Sequence, residues 1–359
     1  MKKKILIVVG STGGHYFPGV ALGEKIREIS SDVEVVFAGE KKIKNNEVWE
    51  TKNFTLIPIC VLKRPEKIYL MPLIFMRSIF VFIRSLSFIL RVKPDLVVCM
   101  GSYSSVFIGI SALVLRKPVI IHEQNFMPGL ANRILNKFRI PAAITFEGTE
   151  KFLKKTIHTG LPLRKEMISS DCVPEDFGLS PDKKTVLILG GSQGAAFIND
   201  LVLSSLKRLN STRFQFIHIS GKKDYQKIKS FYEKNCIKAL VKDFSLALPL
   251  FMNLSDIGIA RAGAGTLAEL SFKGIPSILI PYRFAGGHQS CNAKWAEKFG
   301  CIRMEESDSS PEKLINNLLI LDEQLEERKK LFKSARIADI NGNLARHCLK
   351  LLNKNGKLA

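Results

Sequence analysis

Short apolar runs alternate with longer stretches of helical periodicity along most of the chain. Runs that are apolar at every position are typical of strands buried on both faces, and intervening helices predict right-handed βαβ crossovers in parallel sheets. The first predicted strands are Ile5–Val9, Val33–Ala38, Leu56–Cys60, Leu96–Met100, Val119–His122 and Ala142–Phe146. A second series follows residue 160, with Val186–Leu189, Phe214–Ile219, Asp256–Ala260 and Ser277–Ile280. The pattern predicts an α/β protein built from two Rossmann-like, doubly wound domains.

A polar, proline-containing stretch without periodicity separates the two series at residues 160–184. Such a stretch is typical of a linker, and 359 residues are long for a single core. We therefore expect an N-terminal domain over 1–162 and a C-terminal domain over 163–340. A last helical stretch, Asn341–Asn353 within 341–359, is expected to pack back on the first domain. Ligands of such folds bind beyond the carboxyl ends of the strands.

The segment Ile68–Val92 approaches the length and apolarity of a membrane span. Arginines inside it are seven residues apart and fall on one side of a helix, which suits a helix that lies on a membrane rather than one that crosses it. The alternative is a core helix whose arginines form its solvated edge. The residues assigned to membrane contact are Ile68, Phe75, Arg77, Ile79, Phe82, Arg84 and Arg91.

The net charge is strongly positive, with 54 Lys and Arg against 33 Asp and Glu, or +21. An anionic membrane surface and nucleic acid are the two partners that such a charge suggests. The basic residues are dispersed, and no strand shows the aromatic pattern of RNA-binding sheets. We therefore expect an anionic membrane surface as the partner and no nucleic acid.

Seven scattered cysteines without a C-x-x-C pair argue against a disulfide framework or a structural zinc site and fit a reducing compartment. The short apolar run after "MKKK" ends in a glycine-rich turn, which predicts a first strand rather than a signal peptide. No metal site is predicted.

Glycines follow at least four predicted strands, in "GSTGGH", "MGSYSS", "LGGSQGA" and "ARAGAGT". Glycine permits positive φ and close approach of backbone amides to an anion, and a following helix N-terminus adds partial positive charge. Phosphate is therefore the favoured ligand class. The loops match neither the P-loop nor the dinucleotide-binding pattern. Packing alone could explain the glycines of any one loop, so the expectation of a phosphate ligand depends on all four loops together.

The densest group of candidate residues follows the strand Asp256–Ala260. A diphosphate could bind the exposed amides at a helix start, a carboxylate one turn further could accept from two ribose hydroxyls, and amide side chains suit sugar hydroxyls. This pattern indicates a nucleotide-sugar site. Its residues are Arg261, Ala264, Gly265, Thr266, Glu269, His288, Gln289 and Asn292.

The set "GSTGGH", "IHEQN", "GGSQGA", "RAGAGTLAE" and "HQSCNA", in this order, resembles the MurG family of UDP-N-acetylglucosamine:undecaprenyl-diphospho-muramoylpentapeptide N-acetylglucosaminyltransferases. The resemblance covers essentially the whole chain. It implies a GT-B fold of two facing domains and inverting transfer of N-acetylglucosamine from UDP-GlcNAc to the muramic acid 4-hydroxyl of lipid I. The product would be lipid II, for peptidoglycan synthesis. It also implies a peripheral position on the cytoplasmic face of the bacterial membrane and no cofactor or catalytic metal.

The resemblance also assigns residues. Ser192 would bind donor phosphate beside Gln193, Arg164 the diphosphate, Glu269 the ribose, and Phe244 would present its backbone to uracil. The other donor residues are Thr12, Gly13, Gly14, Arg261, Ala264, Gly265, Thr266, His288, Gln289 and Asn292. The acceptor residues are Gly14, His15, Tyr103 and Asn125. Departures from the family pattern fall in loops, at Ser11, Ser102, Leu161, Gly286 and Gly287.

His15 is the candidate base for the acceptor hydroxyl, because the ordinary pKa of histidine is near neutrality. Glu123 is an alternative base, and orienting its loop is the simpler role for it. Similar structural alternatives exist for His15, Arg261 and Asn125, and His122 is expected to be structural. The rival functions are a GT-B transferase that uses a glycerolipid acceptor and a sugar-nucleotide epimerase.

Overall fold

A computed structural model of the chain describes residues 2–43, 48–59, 71–168, 177–190, 196–209, 212–245, 247–283 and 286–354. The chain divides into two compact units. The first comprises Met1–Arg164 together with Asp339–Ala359, and the second comprises Lys165–Ala338. Each unit has its own parallel sheet and its own apolar core.

The first unit is built on a seven-stranded sheet with the order β3-β2-β1-β4-β5-β6-β7. Its strands, with a short further strand β8, are β1 Lys3–Val8, β2 Val33–Glu40, β3 Leu56–Ile59, β4 Leu96–Cys99, β5 Val119–Glu123, β6 Ala142–Ile144, β7 Thr156–His158 and β8 Leu161–Pro162. Neighbouring strands of the large sheet all run parallel. The helices are α1 Gly13–Ile29, α2 Val48–Thr51, α3 Met71–Val92, α4 Tyr103–Val114 and α5 Leu130–Lys137.

The central strand β1 shows why the strand sequences are apolar throughout. Ile5 and Ile7 point into one core, and Leu6 and Val8 point into the core on the opposite face. All four are fully buried because helices cover both faces of the sheet.

The second unit repeats this plan with a six-stranded parallel sheet in the order β11-β10-β9-β12-β13-β14. Its strands are β9 Lys184–Leu189, β10 Phe214–Ile219, β11 Ala239–Lys242, β12 Ile257–Ala260, β13 Ser277–Leu279 and β14 Ile302–Arg303. Its helices are α6 Ala196–Leu206, α7 Tyr225–Lys234, α8 Leu248–Asn253, α9 Ala264–Lys273, α10 His288–Glu297, α11 Pro311–Glu323 and α12 Leu325–Lys333.

A short strand, β15 Ala338–Asp339, pairs with β8, and the last helix is α13 Asn343–Lys354. Leu344 and Cys348 of α13 are fully buried in the core of the first unit. Asp339 sets where this helix begins, because its carboxylate accepts from the backbone N–H groups of Asn343 (2.8 Å) and Leu344 (3.0 Å). The helix therefore begins at Asn343 rather than at the predicted Asn341.

A buried polar network fixes α6 to the end of β10. His218 Nε2 lies 3.0 Å from Asn199 Oδ1, and His218 Nδ1 lies 3.2 Å from the Tyr232 hydroxyl. Asn199 Nδ2 in turn donates to the carbonyl of Ser220 (3.0 Å). Burial lowers the pKa of His218 to about 3. The neutral ring thus joins α6 to the carboxyl end of its neighbouring strand.

The predicted fold class is confirmed: strands and helices alternate, and both large sheets are parallel. The strand prediction was wrong in omitting β7, β8, β11, β14 and β15, which lie at the edges of the large sheets or comprise two residues. Residues of β11 and β14 are half-buried or exposed, so their sequences lack a fully apolar run. The predicted first strand ends at Val9, one residue beyond the end of β1. Cys60, the predicted end of the third strand, lies outside the described residues.

Candidate active site

Close packing accounts for one glycine of the opening loop, and another glycine of that loop borders open space. Within the described residues, Gly10, Gly13 and Gly14 are absent from the positions with positive φ, so conformational freedom does not explain them. A Cβ on Gly10 would lie 2.9 Å from Ser102 Cβ, so this position is closely packed. A Cβ on Gly14 would meet no atom within 4 Å. Gly14 therefore leaves open space beside the start of α1, where Thr12 is the exposed N-cap.

His15 lies in the first turn of α1 against the end of β4. Its Nδ1 is 3.0 Å from the carbonyl oxygen of Met100. Because a carbonyl only accepts, Nδ1 carries the proton and Nε2 carries the lone pair of the neutral ring. Gly101, at φ +85°, leaves room for the ring, since a Cβ there would lie 3.1 Å from His15 Cε1.

Glu123, at the end of β5, holds the loop that follows it. One carboxylate oxygen accepts from the backbone N–H of Asn125 (2.9 Å), and the other accepts from Gly129 N (3.0 Å) and Asn132 Nδ2 (2.8 Å). The Glu123 side chain is buried. These contacts are those of the loop-orienting role, and they place half-buried Asn125 directly beside this carboxylate.

His122, the residue before Glu123, is fully buried, and its Nε2 is 3.0 Å from the Gly160 carbonyl. Burial lowers its pKa to about 4. The neutral ring donates to a backbone carbonyl and so joins β5 to the segment that follows β7. This contact is the one expected of a structural histidine.

Two further predicted residues lie in the first unit. Tyr103 is exposed at the start of α4 and follows Ser102, whose φ of 75° is in the region that favours glycine. A glycine would adopt this conformation without strain. The Arg164 guanidinium carbon lies 5.1 Å from the centre of the Phe17 ring on α1.

In the second unit, α9 begins with Ala264, Gly265 and Thr266. Its N-cap is Gly263, which offers no side chain to the first-turn amides. Gly265 is not at positive φ, and a Cβ there would meet no atom of the described part of the chain within 4 Å. Half-buried Glu269 lies one turn further along the same helix. The first turn of α9 thus combines unsatisfied amides with open space, which suits a phosphate.

The predicted residues around α10 contact the backbone of neighbouring loops. Gln289 Oε1 accepts from the backbone N–H of Tyr282 (2.9 Å), and buried Asn292 donates through Nδ2 to the Ala262 carbonyl (3.1 Å). His288 is half-buried at the start of α10. These bonds hold the start of α10 beside the residues that precede α9.

The contacts of Arg261 are those of a structural residue that pairs with a carboxylate. Its Nη1 lies 2.6 Å from Glu306 Oε1 and 3.0 Å from the carbonyl oxygen of Ile280. Its assignment as a donor ligand stays a prediction. Among the described residues, no three His, Cys, Asp or Glu side chains lie together in a way that could hold a metal ion.

Phe244, the predicted uracil neighbour, follows β11 and is 52% exposed. Its backbone N–H donates to the Asp243 carboxylate (2.8 Å). Ser192 and Gln193 lie outside the described residues, so their predicted contacts with the donor stay predictions.

Helix α3 has an apolar stripe on its exposed side. Met76, Phe80 and Ile83 are exposed and recur at intervals of four and three, so they lie on one side of the helix. Ile79 and Leu90 extend this exposed apolar surface. None of the helices that the structure describes is both long and apolar enough to cross a membrane.

The arginines of α3 lie beside this stripe. Arg77, Arg84 and Arg91 are exposed, and the Arg84 guanidinium carbon lies 5.0 Å from the centre of the Phe80 ring. Of the other residues predicted for membrane contact, Phe82 is half-buried. Ile68 and the side chain of Phe75 lie outside the described part of the chain.

Comparison with known proteins identifies the family of this chain. The N-terminal domain of glycosyltransferase family 28 matches residues 5–144, and the C-terminal domain of that family matches residues 185–344. The chain belongs to glycosyltransferase family 28. It is 36% identical over 90% of its length to an Aquifex aeolicus relative, and 34% identical over 95% to a Bacillus subtilis relative. These alignments cover 93% and 97% of the relatives.

Both family 28 relatives are named UDP-N-acetylglucosamine–N-acetylmuramyl-(pentapeptide) pyrophosphoryl-undecaprenol N-acetylglucosamine transferase. The crystal structure of Acinetobacter baumannii MurG has a similar fold, with a TM-score of 0.77 at 21% identity, and covers 99% of this chain and 100% of that one. The resemblance to the MurG family and the GT-B fold class are thus confirmed. The roles of individual site residues stay predictions.

Sequence reasoning missed several residues that shape these family 28 sites. Glu306 and Asn132 contact predicted site residues through their side chains, and Met100 does so through its carbonyl. "GLANR" gave no signal for Asn132, because the amide is seven residues past the quoted "IHEQN" motif. Glu306 follows a two-residue strand that the pattern did not predict. Only the folded chain brings these groups to the site.

The open space at Gly265 predicts a separation of stability from ligand binding. Gly265→Ala should leave the free energy of unfolding unchanged or raise it by roughly 0.5–1 kcal/mol, because alanine is the better helix former. The added methyl group should at the same time weaken UDP binding, which calorimetry measures. Gly258→Ala is the control, since a Cβ there would collide with Ser277 Oγ and should lower stability. Unchanged UDP affinity in Gly265→Ala would contradict the assignment.

Proposed function

We propose that this chain transfers N-acetylglucosamine from UDP-GlcNAc to the muramic acid 4-hydroxyl of lipid I, the undecaprenyl-diphosphate-linked muramoylpentapeptide. The product is lipid II, used in peptidoglycan synthesis. The observation that carries the proposal is 34–36% identity, over 90–95% of the chain, to relatives named for this transfer. The geometry of both units supports it.

The donor binds to the second unit in this proposal. The diphosphate lies at the first turn of α9, where Gly265 leaves space, and Glu269 accepts from the ribose hydroxyls. The family resemblance also assigns Arg164, which belongs to the first unit, to the diphosphate. Ser192 and Gln193 complete the donor loop. UDP leaves as an anion, so backbone amides and a guanidinium stabilise the charge that develops during transfer. We propose that no catalytic metal takes part.

The acceptor binds to the first unit, near Gly14, His15, Tyr103 and Asn125. The oxygen of the muramic acid 4-hydroxyl attacks the anomeric carbon as the bond from that carbon to the phosphate oxygen breaks, which inverts the configuration. His15 Nε2 takes the hydroxyl proton, because the bond to Met100 keeps the other proton on Nδ1. Glu123 is less suited as the base, since both its oxygens already accept N–H groups.

The exposed face of α3 contacts an anionic membrane surface in this proposal. Its apolar stripe would enter the lipid boundary while Arg77 and Arg84 meet the headgroups. The acceptor carries a polyprenyl chain, so a peripheral position on the cytoplasmic face of the membrane brings the enzyme to it. The dispersed net charge of +21 adds long-range attraction to the same surface.

A transfer assay with radiolabelled UDP-GlcNAc tests the proposed reaction. Lipid I and a diacylglycerol acceptor are offered in parallel, each with and without EDTA. We expect label only in the lipid I product and an unchanged rate in EDTA. Label only in the glycerolipid would identify the rival transferase, and loss of activity in EDTA would overturn the metal-free mechanism.

His15→Ala should lower kcat by roughly 10²-fold or more while leaving UDP affinity nearly unchanged, because the base acts in the chemical step. His15→Gln is the matched variant, since its amide can still donate to the Met100 carbonyl but cannot take a proton at neutral pH. Steady-state kinetics with both substrates measures the effect. An unchanged kcat with a raised acceptor KM would make His15 a binding group only.

Replacing Phe80 and Ile83 together by Ser should weaken binding to phosphatidylglycerol vesicles about 10²-fold, because each buried side chain contributes roughly 1.5 kcal/mol. Both residues are more than half exposed, at 53% and 55%, so the fold should tolerate the change. Leu331→Ser, at a 41% exposed position on α12, is the control. Vesicle flotation at two salt concentrations, with duplex DNA as competitor, measures the effect. Unaltered flotation of the double variant would exclude this face.

A further inference from the structure

Arg261 is a buried charge at the carboxyl end of β12, with 9% of the residue exposed. Its Nη1 lies 2.6 Å from Glu306 Oε1 and donates to the carbonyls of Ile280 (3.0 Å) and Pro281 (3.3 Å). Glu306 lies just after β14, and its side chain is 15% exposed. The guanidinium therefore joins the ends of three neighbouring strands, β12, β13 and β14.

The same residues are joined to the helices that follow these strands. The Arg261 backbone N–H donates to the Leu189 carbonyl at the end of β9 (3.4 Å), and Ala262 accepts from Asn292 of α10. Tyr282, next to the carbonyls that Arg261 binds, donates to Gln289 of α10. Arg261 thus belongs to a continuous set of bonds across the carboxyl edge of the sheet.

A guanidinium buried to this degree needs a counter-charge. Among the described residues, Glu306 is the carboxylate within ion-pair distance of Arg261. Without its charge, Arg261 would have to move toward water or another anion, and the carbonyls of Ile280 and Pro281 would lose their donor. The α9 amides begin three residues after Arg261, so such a movement would displace the proposed diphosphate site.

We propose that Glu306 is a positioning residue for donor binding. It holds Arg261, and Arg261 holds the turn before α9 and the loop before α10 in the arrangement that receives the nucleotide diphosphate. The proposal rests on the proposed function in one respect, namely that UDP binds at the start of α9. It assigns Arg261 to holding the site together rather than to contacting the phosphates.

UDP binding to the full-length chain tests this role by titration calorimetry. Glu306→Gln should weaken UDP binding about tenfold, because a displaced binding frame loses contacts with the ligand. Glu306→Asp keeps the charge and should recover part of the affinity. Glu305→Gln is the matched control, since the neighbouring carboxylate pairs with Arg303 (3.3 Å) and should leave UDP affinity unchanged.

The double variant Arg261→Gln, Glu306→Gln separates the two roles of the arginine. If Glu306 acts through Arg261, the double variant should bind UDP as Arg261→Gln does, because the partner's effect is already lost. Additive losses, or wild-type affinity in a folded Glu306→Gln, would overturn the proposal. Tighter UDP binding in Glu306→Gln would also overturn it, since a released arginine would then contact the phosphates. Failure of the wild-type chain to bind UDP would instead count against the proposed function.

Discussion

Parallel strands place all their carboxyl ends at one edge of a sheet, and each following helix points its unpaired N–H groups toward that edge. In this protein the N-cap residues of α1, α4 and α9, which are Thr12, Ser102 and Gly263, make no side-chain capping hydrogen bond. By contrast, the side chain of Ser310 caps α11 and accepts from Lys313 N (3.2 Å). The first turns of α1, α4 and α9 thus lack side-chain caps on their backbone N–H groups, which an anionic ligand could bind. A transferase of two diphosphate-bearing substrates can be built on this single feature.

Polar side chains at these edges mostly hold the backbone in place. Glu123 in the first unit and Arg261 in the second each join several loops, the first as an acceptor of N–H groups and the second as a donor to carbonyls. Asn132 donates a hydrogen bond to Glu123, and Glu306 forms an ion pair with Arg261. Open space remains at Gly14 and Gly265, where an added Cβ would meet none of the described residues within 4 Å. These contacts fix the backbone, and in the proposed function its amides provide the groups that bind the substrates.

The protein has a polar surface at the edge of the second sheet and an apolar surface on α3, and each suits one of the proposed substrates. The nucleotide sugar is soluble and polar, and the edge of the second sheet presents amides, hydroxyls and carboxylates. The proposed acceptor is anchored in a bilayer, and α3 in the first unit exposes apolar side chains beside arginines. An exposed apolar stripe is costly in water unless another surface covers it.

The sequence by itself determined the parallel architecture, since fully apolar runs separated by helices fit only strands covered on both faces. It also determined the family, because five motifs in order are specific where each alone is weak. Only the tertiary structure shows what the site residues contact. The sequence left Arg261 as a donor ligand or a structural partner and Glu123 as an alternative base or a loop-orienting residue. The folded chain places them in contact with Glu306, Asn132 and backbone groups distant in the chain. Hydrogen bonds between residues far apart in sequence leave no periodic pattern, so only the folded chain reveals them.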